Sequence, residues 1–190
     1  MNGFSILRLA GVLSLIAGLS GPAMAQEAFS LTSPALTDGA PLPADMKCSR
    51  DGGDGLSPPV SWTNSPAGTQ GFAIIMHHYP KGRTEGVDAP SQYWLLWNIP
   101  ASTTGIPRGN PASLGDEGSD KDMHGTGYTP PCAPPGPSEG PPHRYTITVY
   151  ALSAPLATLP AHDDGAVNWE QMVAAMDGLV LGSSSISFTN

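Results

Sequence analysis

The sequence predicts a mainly β single domain, a packed β-sandwich with one short C-terminal helix. Three observations carry this reading. Four runs are rich in β-branched and aromatic residues, proline and glycine gather between those runs, and a single stretch near the end has helical spacing. Proline (21) and glycine (23) are numerous enough to raise disorder as a competitor, but their clustering between apolar runs marks turns of a folded chain.

The strands are expected at "VSWTN" (60–64), "GFAIIMHH" (71–78), "YWLLWNIP" (93–100) and "RYTITVYAL" (144–152). The unbroken apolar segments FAIIM and WLLW predict central strands covered on both faces. In the fourth run Tyr145, Ile147, Val149 and Ala151 fall on one face, and Thr146, Thr148 and Tyr150 on the other. The helix is expected within "NWEQMVAAMDGLVLG", capped by Asn168 and stopped by Gly178, with Trp169, Met172, Val173 and Met176 forming a packed stripe. Residues 101–143 read as one long polar loop, and a loop of that length carrying "GTGYTPPC" is expected to serve function. Its proline-rich part also offers a surface to an unidentified protein partner.

The first 25 residues hold one charge, Arg8, then "LAGVLSLIAGL" and the small-x-small end Ala23-Met24-Ala25, which predicts a cleaved secretory signal peptide and no retained membrane span. About 165 residues, 26–190, then form one domain. Removing Arg8 takes the net charge from −8 to −9, which argues against nucleic acid or anionic membrane surfaces as bulk partners. An anion has to be held by a local pocket. The two cysteines, Cys48 and Cys132, are expected to pair in an oxidising compartment, and without a CxxC spacing they make a poor zinc signature. No motif calls for a cofactor.

His77 and His78 are neighbours on a strand, so their side chains leave on opposite faces and do not readily chelate one metal. No G-x-S-x-G elbow is present to supply an activated serine. His143 opens the last strand at the rim, where loops gather.

Taken in order, "LSPPVSW" (56–62), the apolar strand ending in polar residues, "YWLLWNIP", "GYTPPCAPPG" (127–136) and "HRYTITVYAL" (143–152) resemble the phosphatidylethanolamine-binding protein family, in particular its bacterial Raf-kinase-inhibitor-like branch. The resemblance implies a Greek-key β-sandwich with a small anion pocket at one end. In that family the pocket is built from a D-P-D-A-P segment, a histidine before the W-N-I-P strand, a G-Y-x-G-P loop and an H-R-Y strand start. His143 and Tyr145 match the last of these, and Gly127 and Tyr128 match the loop. Elsewhere the chain departs from the pattern. His78 in "HHYPKG" takes the aspartate position, "DAP" occurs later at Asp88 to Pro90, Tyr93 replaces the histidine, and Pro130 stands for the loop glycine. A pocket with His78 and His143 and no adjacent aspartate is expected to be neutral or cationic, most strongly below about pH 6.5.

The function expected from these residues is that of a secreted, non-enzymatic binding protein for a small anion or phospholipid headgroup, with His78, Tyr93, Gly127, Tyr128, His143 and Tyr145 as ligand-binding residues and His77 and Asp88 beside them. Two alternatives stand beside it. One is a hydrolase or other acid–base enzyme using a pocket histidine with a tyrosine, and the other a metal-binding module built from His77, His78, His124 and His143.

Overall fold

The computed structural model describes residues 27–111, 114–133 and 141–190, so the expected signal peptide and most of the proline-rich stretch after Cys132 lie outside the described residues. Five strands form one antiparallel sheet in the order β6-β4-β3-β7-β8: β3 (Gly71–His78), β4 (Ser91–Pro100), β6 (Asp116–Glu117), β7 (Arg144–Leu152) and β8 (Val180–Thr189). A second antiparallel sheet is made of β1 (Ser30–Thr32), β2 (Val60–Thr63) and β5 (Gly105–Ile106), in the order β1-β2-β5. In the larger sheet the chain runs from β3 to β4 to β6 and returns with β7 beside β3, the 4-1-2-3 arrangement of a Greek key.

The apolar strands β3 and β4 occupy the centre of the large sheet because both of their faces are covered. Phe72, Ile74 and Met76 meet Trp94, Leu96, Trp62 and Ile147 in the layer between the sheets. Ala73, Ile75, Leu95 and Trp97 pack on the opposite face under α1 (Trp169–Met176) and Leu156. Asn168 caps α1 as expected, in a capping box closed by Gln171, and Gly178 adopts φ +71° just beyond it. The buried stripe is narrower than expected: Met172 and Met176 are buried, whereas Val173 is 44% exposed, because a two-turn helix laid on a sheet covers little more than one row of side chains.

Strand β8 is the main departure from expectation. Its serine-rich "VLGSSSISFT" carries little apolar alternation, yet it pairs with β7 from Arg144↔Thr189 to Leu152↔Val180. Tertiary pairing, with Ile186 and Phe188 buried in the intersheet layer, overrides the weak local preference. Among the described residues, no helix is long and apolar enough to cross a membrane.

Candidate anion site

The site is built from cross-strand neighbours on the intersheet face of β3, β7 and β8. His78 pairs in register with Tyr145, and Tyr145 with Phe188. Side chains on adjacent strands stand roughly 4.8 Å apart, close to the separation of stacked rings. The result is a column: His143 to His78 at 5.1 Å and 19°, His78 to Tyr145 at 4.8 Å and 26°, and Tyr145 to Phe188 at 5.5 Å and 7°. Paired backbone hydrogen bonds between His143 and Asn190, both 3.0 Å, hold His143 at the end of it.

Tyr93 reaches this column through an irregularity in the sheet. Met76 pairs with Trp94 and His77 with Gln92, so Tyr93 is the extra residue of a β-bulge. Strict alternation would turn Tyr93 away from Trp94; both instead lie in the intersheet layer. Tyr93 stands edge-on to His78 (5.3 Å, 74°) and to Tyr145 (5.0 Å, 89°).

His78, Tyr93, His143 and Tyr145 line a cavity of about 470 Å³, together with Arg50, Ser91, Lys121, Asp122 and a wall within residues 129–133. The Cys48–Cys132 disulfide, Cα–Cα 5.2 Å, fastens this wall to the 3₁₀ turn Ser49–Asp51. The Cys48 N–H donates to the Pro131 carbonyl (3.1 Å), the Arg50 guanidinium donates to the Ala133 carbonyl, and the Ala133 N–H donates to Asp51. Lys121 bonds Asp122 at 2.8 Å and lies 6.0 Å from the centre of the Tyr93 ring. Arg50 and Lys121 are each paired with an acid, Arg50 with Asp51 at 3.2 Å and Lys121 with Asp122 at 2.8 Å, so the cavity carries two cationic side chains in neutralised pairs on a chain of net charge −8.

Electrostatically the centre of the site is a neutral imidazole. His78 is 4% exposed, and neither ring nitrogen finds a partner within the protein. Burial, followed by the nearby His143, Lys121, His77 and Arg83, pushes its pKa down to about 4. For His78 this differs from the expectation of a pocket that is neutral or cationic, most strongly below about pH 6.5: a desolvated ring beside like charges stays neutral well into acid. Burial also raises the Tyr93 and Tyr145 hydroxyls, which remain protonated donors. The site thus offers neutral donors inside and, at its mouth, the ion-paired side chains of Arg50 and Lys121.

The remaining expected residues lie elsewhere. His77 faces the opposite side of the sheet, edge-on to Trp169 at 4.9 Å. Tyr128 packs against Trp94 at 5.9 Å and does not line the cavity. Asp88, exposed on the connection 79–90, accepts from the Thr84 N–H at 2.7 Å and so organises its own loop. Gly127 is structural, with its N–H bonded to the Gly118 carbonyl (2.9 Å) and φ +100°, and a Cβ there would come within 2.8 Å of Glu117 Oε2. Gly127→Ala is expected to lower stability by about 1–3 kcal/mol, read from urea melts.

His124 is exposed and outside the cavity lining. Among the described residues, the one group of three or more potential metal-ligating side chains is Cys48, Asp51 and Cys132, and its cysteines are bonded to each other. Sequence reasoning missed Arg50 and Lys121. Arg50 was findable, because a bridge from Cys48 to Cys132 necessarily brings its neighbour to the "YTPPC" loop.

The model of the phosphatidylethanolamine-binding protein family matches residues 32–190. The chain belongs to that family. It is 31% identical to the UPF0098 protein of Methanothermobacter thermautotrophicus over 171 residues, covering 83% of this chain and 95% of that one. It is 34% identical to the UPF0098 protein YbhB of Escherichia coli over 135 residues, 65% of this chain and 78% of the relative. Among solved structures, the family homologue CT736 from Chlamydia trachomatis superposes with a TM-score of 0.69 at 27% identity, covering 86% of this chain and 97% of that chain. E. coli YbcL superposes with a TM-score of 0.68 at 23% identity, covering 84% and 96%, a likeness of fold.

Proposed function

We propose that this member of the family is an exported, non-enzymatic binding protein that takes a small anion, free or as the phosphate of a phospholipid headgroup, in the cavity of His78, Tyr93, His143 and Tyr145. The observation that carries the reading is convergence: those rings, with Arg50 and Lys121, come from five separate stretches of chain to one cavity. Neither His78 ring nitrogen has a protein partner; an unmet buried donor costs on the order of 1–3 kcal/mol, and an anion that accepts from the ring N–H would offset that part of the cost. Binding is favoured over covalent catalysis because, among the described residues, no serine, threonine or cysteine side chain is hydrogen-bonded to a histidine ring. Export is supported by the leader-like N-terminus and by the disulfide.

The test is a titration with inorganic phosphate, following the ring resonances of His78 and His143 by NMR. Saturable shifts are expected, with the His78 pKa moving up from about 4 because a bound anion favours the charged ring. Arg50→Ala is expected to weaken binding roughly tenfold, about 1.4 kcal/mol. Vesicles containing phosphatidylethanolamine, set against free phosphate, distinguish the two sources of the anion. Ring resonances that stay unmoved in both arms rule the reading out.

A further inference from the structure

A second cavity, of about 720 Å³, opens on the outer face of the large sheet. That volume lies within the roughly 300–1,000 Å³ usual for ligand sites. Its lining combines three features. Half-buried aromatic rings, Tyr79, Tyr150 and Trp169, border it, and the His77 ring sits edge-on to Trp169 (4.9 Å) and Tyr79 (5.5 Å). Strands β7 and β8 present hydroxyls in register, with Tyr150 opposite Ser183 and Thr148 opposite Ser185, the latter pair bonded at 2.8 Å. Rungs of this kind repeat about every 6.8 Å along a strand. Finally, the charged residues lining it are one acid and one base, Glu85 and Arg144.

His77 adds a fourth observation: it is 9% exposed, lines the cavity, and its Nδ1 has no partner within the protein. The backbone that carries Trp169 is also anchored to the sheet. The Trp169 backbone N–H donates to Gln92 Oε1 at 2.7 Å, and Gln92 Nε2 donates to the Ser119 and Asp120 carbonyls at 3.3 Å. An anchored backbone lowers the entropy lost when the ring it carries takes a ligand.

We propose that this outer cavity binds a neutral oligosaccharide of β-1,4-linked pyranose rings, stacked on Trp169 and Tyr79 and hydrogen-bonded by Ser183, Ser185, Arg144 and Glu85. A pyranose ring presents an apolar C–H face and an edge of hydroxyls that both donate and accept. An aromatic surface beside hydroxyls, a carboxylate and a guanidinium meets both needs. Balanced charge disfavours an anionic ligand, and the hydroxyl rungs disfavour a purely apolar one. The β-1,4 linkage gives a flat, extended chain, the form that lies along a sheet surface.

Calorimetric titration of the protein with chitotetraose and cellotetraose tests this, with tryptophan emission as a second readout. Trp62, Trp94 and Trp97 are 0–2% exposed, so a blue shift on binding reports Trp169. Saturable heat from at least one sugar is expected, at least tenfold weaker in Trp169→Ala and in Tyr79→Ala and largely kept in Trp169→Phe. Tyr79 lies just beyond the end of β3, so its truncation leaves the packed core alone if Trp169→Ala fails to fold. No saturable heat from either tetrasaccharide, or unchanged affinity in Tyr79→Ala, overturns the proposal.

Discussion

Removing the Cys48–Cys132 bridge, as the Cys48→Ser/Cys132→Ser double variant, is expected to lower stability by about 4–5 kcal/mol, the chain-entropy value for a closed loop approaching 100 residues. Domains of this size are stable by only about 5–15 kcal/mol, so the variant should stand near the edge of folding. Guanidinium unfolding of the wild type and the variant measures the difference. The bridge also ties Arg50 to the wall within residues 129–133, so phosphate affinity should fall by about tenfold under conditions where the variant remains folded. A loss of stability under about 1 kcal/mol would show that the hydrogen bonds around Cys48 and Ala133 hold the wall without it.

Acidification from pH 7 to pH 4 is expected to remove about 3 kcal/mol of stability through His78 alone, since its pKa falls from 6.5 in a free side chain to about 4 in the fold. Between those values the unfolded chain binds a proton that the native ring refuses. The contribution is therefore complete above about pH 6.5 and is lost as the pH falls toward 4. His78→Phe keeps an aromatic ring in the column and removes the titration. Urea melts of both proteins at pH 7, 5 and 4 should show the wild type losing about 3 kcal/mol more than the variant. Parallel pH dependence in the two would mean that the ring is better solvated than its 4% exposure implies. Saturating phosphate should shrink the difference if the anion site is as proposed, because a bound anion stabilises the charged ring.

Legibility followed the physics of each element. The strands at 71–78 and 144–152 were placed at their ends or within a residue of them, because an apolar run closed by polar residues and a strict alternation are local signals. His78, Tyr93, His143 and Tyr145 were singled out together and do meet at one cavity. Tyr93 does so through a bulge that no pattern in "SQYWLLW" announces. Strand β8 escaped because serines carry no preference strong enough to outvote the helix before them, and its hydrogen bonds come from β7. Gly127 and Tyr128 were grouped with the pocket on the strength of their loop, but Tyr128 turns in against Trp94 and Gly127 yields to the Glu117 carboxylate.

Local pattern was enough to set which stretches extend, which faces they bury, where the helix begins and which two sulfurs can join. Alternation, capping and cysteine count are properties of neighbours along the chain or of composition. Long-range packing makes His78 neutral, brings Arg50 and Lys121 to the mouth of its cavity, and turns His77 toward a different cavity altogether. Those outcomes depend on desolvation and on distances between groups far apart in the chain, and neither exists until the sheets have closed on each other.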